Sequence, residues 1–219
     1  MVGTRSASST YRQVGSRWHQ EQIPQERSTM NITISKNDGT RINLGNLQPQ
    51  DVSIEDIAHS LSQQCRFNGR TKFFYSVAQH CLMVSRMLKD AGHSPRMQLL
   101  GLLHDATEAY TGDIIKPLKE VLLVATPFGS LFANEERRLM ARLLMGLGII
   151  YFSEDEEEII HGFDESAYRV EMRDLMGDPA WARTGPVPVY RATPRVIENV
   201  REEFIQSYYD LKDQGAFQA

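Results

Sequence analysis

The chain has 219 residues, with 24 Lys and Arg against 28 Asp and Glu, a formal net charge of −4 and a pI of about 5.9. That balance gives no electrostatic footprint for nucleic acid or for an anionic membrane. Its 41% hydrophobic and 24% charged residues are those of a globular protein with a full core, and its longest apolar run, Leu143 to Phe152, would span only about 15 Å as a helix, which excludes a membrane span.

Residues 1–29 hold four Arg and two Glu among many Ser, Thr and Gln. They show almost no aliphatic periodicity and are predicted to be a mobile N-terminal tail. Their Arg and Ser content also fits a transit peptide, against which the lack of an amphipathic pattern speaks. Residues 30–219 are then the folded unit, with a net charge of −6. Ile32-Thr-Ile34 and Arg41-Ile42-Asn43-Leu44 flank Asn37-Asp38-Gly39, which predicts a small β-hairpin. Helices follow. Ser53 caps a run with Ile54, Ile57, Ala58 and Leu61 on one face, and Ser76 caps another with Val77, Cys81, Val84 and Leu88. Pro95 opens a third, Arg96 to about Tyr110, which is apolar nearly all round and is expected in the middle of the fold. Further helices are predicted at about 130–146, 154–175 and 194–212, the last with Val196, Val200, Phe204, Tyr208 and Leu211 at helical spacing. Residues 177–194 read as a Pro/Gly loop. The expected fold class is all-α with a small N-terminal β-hairpin.

The chemistry sits where polar groups interrupt this pattern. His104, Asp105 and Glu108 fall inside the apolar third helix, where burial without partners would cost several kcal/mol. The spacings of four and three residues put Glu108 beside the His-Asp pair on one side of the helix. A His-Asp dipeptide alone is expected about 0.3 times by chance in this composition, so the context carries the weight. His80 adjoins the apolar stripe of the preceding helix, and Asp164 follows Ile159, Ile160 and Phe163 in a later one. Two His and two Asp from three helices make a nitrogen and oxygen ligand set for a divalent ion such as Mn, Fe, Co, Ni or Zn, and not a thiolate zinc site. Asp155 and Asp174 compete with Asp164, while His19, His59, His93 and His161 show no partner pattern.

The segments Arg66-Phe67-Asn68-Gly69, Tyr75-Ser-Val-Ala-Gln-His80, Leu103-His-Asp-Ala-Thr-Glu-Ala-Tyr-Thr-Gly-Asp-Ile114 and Asp164-Glu165 resemble the HD-domain metal-dependent phosphohydrolases over roughly residues 31–212. The likeness is greatest to the bacterial 5′-deoxynucleotidases and the phage dATP triphosphohydrolases. The resemblance implies an HD-domain helical bundle in which His80, His104, Asp105 and Asp164 are metal ligands and Glu108 is the acid/base or water-orienting residue. It further implies Arg66 at the phosphate, Asp113 as a second essential carboxylate, and a homo-oligomer. Phe67 stands where those deoxynucleotidases commonly carry Trp, and no Gly-Tyr-Pro follows the HD pair, as it would in a cyclic-dinucleotide phosphodiesterase.

In this reading Asp105 and Asp164 formally neutralise a divalent ion, which activates water, and Arg66 balances the extra charge of the phosphate. The expected substrate is a deoxynucleoside triphosphate, in first place dATP, cleaved to deoxynucleoside and tripolyphosphate. The alternative is a 5′-deoxynucleotidase acting on monophosphates. The triphosphate is favoured because Arg66, Arg70, Lys72, Lys116 and Lys119 give more cationic reach than a monophosphate needs, with Glu108 and Asp113 able to hold additional Mg ions. Phe67 would favour deoxyribose by packing on the C2′ edge. A regulatory module without turnover is argued against by Glu108 and Asp113, and only the basic tail speaks for nucleic-acid binding. Cys65 and Cys81 stand in no CxxC or zinc-ribbon spacing, and no secretory-type segment opens the chain. A cytoplasmic location is therefore expected, in the host cytoplasm if a phage encodes the protein.

Overall fold

A computed structural model describes residues 32–122, 131–149, 151–177 and 185–217. The tail predicted at 1–29, Met30, and the 178–184 portion of the Pro/Gly loop lie outside these residues. Strands β1 (Thr33–Ser35) and β2 (Arg41–Asn43) pair antiparallel with Ile34 opposite Ile42. Their turn closes where predicted. Gly39 takes φ +81, and the Asp38 carboxylate accepts from both the backbone N–H and the hydroxyl of Thr40 at 2.8 and 2.6 Å.

Helices make up most of the rest of the core. Helix α1 (Ile54–Gln63) starts at Ser53, whose hydroxyl accepts from the Asp56 N–H, and it buries Ile57, Ala58 and Leu61 completely. Helix α2 (Val77–Asp90) opens with a reciprocal capping box between Ser76 and Gln79. Its burial is wider than the predicted stripe. His80, Leu82, Met83 and Met87 are covered as well, because α2 has helices against it on several sides.

Helix α3 (Pro95–Leu103) is central, with Leu99, Leu100, Leu102 and Leu103 all essentially inaccessible. It packs along α2 so closely that a Cβ on Gly101 would lie 2.3 Å from Leu88 Cδ1. Replacing Gly101 by Val is therefore expected to lower stability by about 2–3 kcal/mol through overpacking. Urea unfolding checks this, and an unchanged midpoint would mean that Leu88 repacks freely.

The structure corrects the third helix. It ends at Leu103 and does not run to Tyr110; His104 to Thr107 form tight turns and a separate short helix, α4 (Glu108–Thr111), follows. The reason is a change of hydrogen-bond spacing. The N–H groups of Ala106, Glu108 and Tyr110 donate three residues back, to Leu103, Asp105 and Thr107, so the chain winds with about three residues per turn there, and residues three apart eclipse one another.

Helix α5 (Lys116–Leu122) is an element the periodicity did not suggest; Pro117 sits in its first turn, where a missing N–H costs nothing. Helix α6 (Leu131–Gly146) matches its predicted span. Helix α7 (Glu154–Glu171) begins at a Ser153/Glu156 capping box with four acidic residues in its first turn, which complements the positive end of the helix dipole. It passes into a π-helical turn, Met172–Met176, closed by Gly177. Helix α8 (Ile197–Asp213) buries Val200, Phe204, Tyr208 and Leu211, whereas Val196 precedes the helix and is exposed. Helices α1 and α3 pack on α8, and α7 lies against α2 and α3. Where α2, α7 and the end of α3 adjoin, the polar residues of the sequence pattern meet. No helix among the described residues is long and apolar enough to cross a membrane.

Candidate metal centre

Three elements deliver the site. His80 comes from the first turn of α2, His104 and Asp105 from the turn after α3, and Asp164 from the middle of α7. The two imidazole Nε2 atoms stand 3.3 Å apart. Asp105 Oδ2 lies 3.2 Å from His104 Nε2 and 3.6 Å from His80 Nε2, while Asp164 Oδ1 lies 3.0 and 3.9 Å from His80 Nε2 and His104 Nε2. For ligand bonds of about 2.0–2.2 Å, neighbouring donors stand about 3.0–3.6 Å apart. His80, His104 and Asp105 form a group that could hold a metal ion; Asp164 faces both rings but stands outside that group.

The outer nitrogens decide what these rings offer. His80 Nδ1 lies 2.7 Å from Glu171 Oε1, and His104 Nδ1 lies 2.8 Å from the Gly101 carbonyl. Both outer partners are acceptors, so each Nδ1 carries the proton and donates it, which leaves both Nε2 lone pairs pointing inward. Two lone pairs and two carboxylate oxygens then converge with no donor among them. Such an arrangement demands a cation or extra protons.

The electrostatics follow the same logic. Burial works against a charged His80 and Arg66 adds to that, but Glu171 and Asp164 outweigh both and its pKa is raised. Burial also opposes a charged His104, yet Asp105 lifts it well above the ordinary imidazole value. For Asp105 the burial penalty is overcome by His104, His80 and Arg66, so its carboxyl is held far below the usual range. Asp164, likewise desolvated, is drawn down to about 2 by His80 and His104. The raised proton affinity of both rings answers the same surplus of acceptors that a cation would.

Glu108 behaves in the opposite way. Burial, followed by the charges of Asp105 and Asp113, pushes its pKa well above the ordinary value, and its Oε2 is buried with no hydrogen-bond partner among the described residues. Helix α1 holds this segment in place, since Gln64 Nε2 donates to the Glu108 carbonyl at 2.7 Å and the Ser60 hydroxyl donates to the Ala109 carbonyl at 2.8 Å.

Arg66 is buried beside the cluster, 3.1 Å from Glu171 Oε2 and 3.7 Å from Asp105 Oδ2, with its guanidinium 5.3 Å from the centre of the Phe67 ring. Phe67 and Asn68 both adopt left-handed backbone, φ 56 and φ 51, which is uncommon for a bulky residue such as Phe. Asp113 holds this turn, because its Oδ2 accepts from the Phe67 N–H at 3.0 Å. Gly112 directs Asp113 there through φ 81 and ψ 158, a conformation open to little but glycine. The structure therefore shows Asp113 supporting the Arg66-Phe67 turn.

Lys116 does not stand free: its Nζ lies 2.7 Å from Glu165 Oε1 and 5.8 Å from the Tyr168 ring centre. Lys119 is similarly engaged by Glu136 at 2.8 Å. Of the rival carboxylates, Asp174 is occupied by Arg173, Arg191 and the Ala192 N–H, and Asp155 lies in the first turn of α7. His59 contacts Gln63 and His93 stands edge-on to Phe163, so neither joins the cluster.

No family model matches the chain. It is similar to two uncharacterized proteins. One, from Rhodobacter capsulatus, is 37% identical over 115 residues, which cover 51% of this chain and 56% of the relative. The other, YfdR of Escherichia coli K12, is 45% identical over 76 residues, 35% of this chain and 40% of the relative. The matches thus span about half or less of these curated relatives.

Sequence reasoning missed Glu171, which is fully buried and touches both His80 and Arg66. A signal for it existed. It lies seven residues after Asp164, two helical turns along one face of α7.

Proposed function

We propose that the chain is a metal-dependent phosphohydrolase of the HD-domain kind that acts on deoxynucleotides. The observation that carries this reading is the convergence of four acceptor atoms, from His80, His104, Asp105 and Asp164, with the Arg66 guanidinium alongside. The donor set, imidazole nitrogen and carboxylate oxygen without thiolate, suits Zn, Co, Mn, Fe or Ni. A divalent ion supplies Lewis acidity toward a phosphoryl oxygen and a water of lowered pKa. Arg66 offers a charge-assisted donor to the phosphate. Glu108, with its raised proton affinity and unpartnered Oε2, takes a proton from the attacking water or returns one to the leaving oxygen. Asp113 keeps Phe67 in place, and Phe67, packed 5.9 Å from the Tyr168 ring, presents an apolar edge on which deoxyribose loses less than ribose.

The first substrate choice is a deoxynucleoside triphosphate, dATP before others. The Lys116–Glu165 pair is largely exposed, and such pairs contribute only about 0–1 kcal/mol, so a polyphosphate can take Lys116 over at little cost. The same pairing, with Lys119 on Glu136, favours the second reading, a 5′-deoxynucleotidase that needs Arg66 alone. Measuring kcat/KM for dATP, dAMP and ATP with each metal separates them. The expected order is dATP above dAMP, with dATP above ATP; a higher value for dAMP makes the protein a monophosphatase, and no hydrolysis of any nucleotide removes the phosphohydrolase reading.

A further inference from the structure

Glu171 has no role in the chemistry above, yet it is the most completely enclosed carboxylate of the centre, with no exposed surface. Its two oxygens are divided between two neighbours. Oε1 accepts from His80 Nδ1 at 2.7 Å, and Oε2 faces Arg66 at 3.1 Å. It lies at the last residue of α7, immediately before the π-helical turn, and α7 also delivers Asp164. One carboxylate therefore braces a ring that faces the metal cage and a guanidinium that lies beside it.

We propose that Glu171 is the positioning residue of the centre: it holds His80 with Nε2 toward the metal and holds Arg66 where a phosphate meets it. The His80 half follows from hydrogen-bond polarity alone. A neutral ring that donates from Nδ1 presents its lone pair from Nε2, and a carboxylate behind it makes that lone pair a better ligand. The Arg66 half rests on the proposed phosphohydrolase reading. Arg66 has several rotatable bonds and would otherwise sample many positions; the fixed anion removes that freedom before a phosphate arrives.

Two substitutions divide the roles. In Glu171→Gln the amide oxygen still accepts from His80, but the anion facing Arg66 is gone. In Glu171→Ala both supports are gone. Titration of the metal-free protein with Co²⁺ against a competing chelator is expected to show affinity about 10–100-fold weaker in Glu171→Ala, with Glu171→Gln between it and the parent. Inorganic phosphate is expected to bind both Co²⁺-loaded variants more weakly than the parent. A third arm needs no variant. Long-range ¹⁵N–¹H correlation on the Zn-loaded parent should place the His80 proton on Nδ1, so the test survives a variant that fails to fold. A proton on Nε2, or parent-like Co²⁺ and phosphate binding in Glu171→Gln and Glu171→Ala, overturns the proposal. None of these measurements uses turnover. If they come out as expected while no nucleotide is hydrolysed, Glu171 keeps its positioning role and only the phosphohydrolase reading fails.

Discussion

Asp105→Ala is expected to abolish nucleotide hydrolysis and to strip the metal. Asp105 contributes the carboxylate closest to His104, at 3.2 Å, and also faces His80 and Arg66. Removing it leaves two lone pairs and one carboxylate around a divalent ion, with Arg66 left to its other ion-pair partner among the described residues, Glu171. The loss of metal affinity should exceed the about 10–100-fold typical of changing a residue behind a ligand, and elemental analysis after gel filtration reads it directly. Full activity with stoichiometric metal in this variant would sink the site assignment. The parent protein should show the same competition as a pH effect. Metal binding needs both rings unprotonated, and both rings have raised affinities for protons. Metal occupancy is therefore expected to fall as pH is lowered, beginning above the ordinary imidazole value.

Glu108→Gln separates chemistry from binding. The variant is expected to keep its metal and lose about 10²-fold or more in kcat, as for a proton-transfer group. It is also expected to be more stable than the parent when both are metal-free. The folded-state pKa of Glu108 is raised, above all by burial. Between the ordinary Glu value and that raised value, the folded chain keeps a proton that the unfolded chain has released, so parent stability falls as pH rises through that window. Gln carries no such penalty. Thermal melts of both metal-free proteins across pH test this: the gap should widen above the ordinary Glu range and close below it. Loss of metal in Glu108→Gln would instead make Glu108 a ligand, and equal melts at every pH would mean that burial does not raise the pKa of Glu108.

Much of this was legible in the residue pattern because it depends on local spacing. The Asn37-Asp38-Gly39 turn, the Ser53 and Ser76 caps, and the apolar faces of α1, α2 and α8 follow from hydrogen bonds and periodicities that span a few residues. The four candidate ligands could be singled out because His104 and Asp105 break an apolar run, His80 adjoins an apolar stripe, and Asp164 follows Ile159, Ile160 and Phe163, although of these three only Ile160 is buried. What the pattern could not supply was the winding between Leu103 and Glu108. Apolar residues recur there just as in a continuous helix, but the helix stops, and the tighter turn aims His104 and Asp105 at His80. The partners of charged groups were equally out of reach. Lys116 and Arg66 read alike as cations near a motif, yet one pairs with Glu165 at an exposed rim and the other is enclosed against Glu171. Asp113 read as a reacting carboxylate and holds a backbone N–H 46 residues away. Contacts between residues so far apart along the chain are set by how α2, α3 and α7 pack, and burial then decides whether a charge is screened by water or must find an opposite charge.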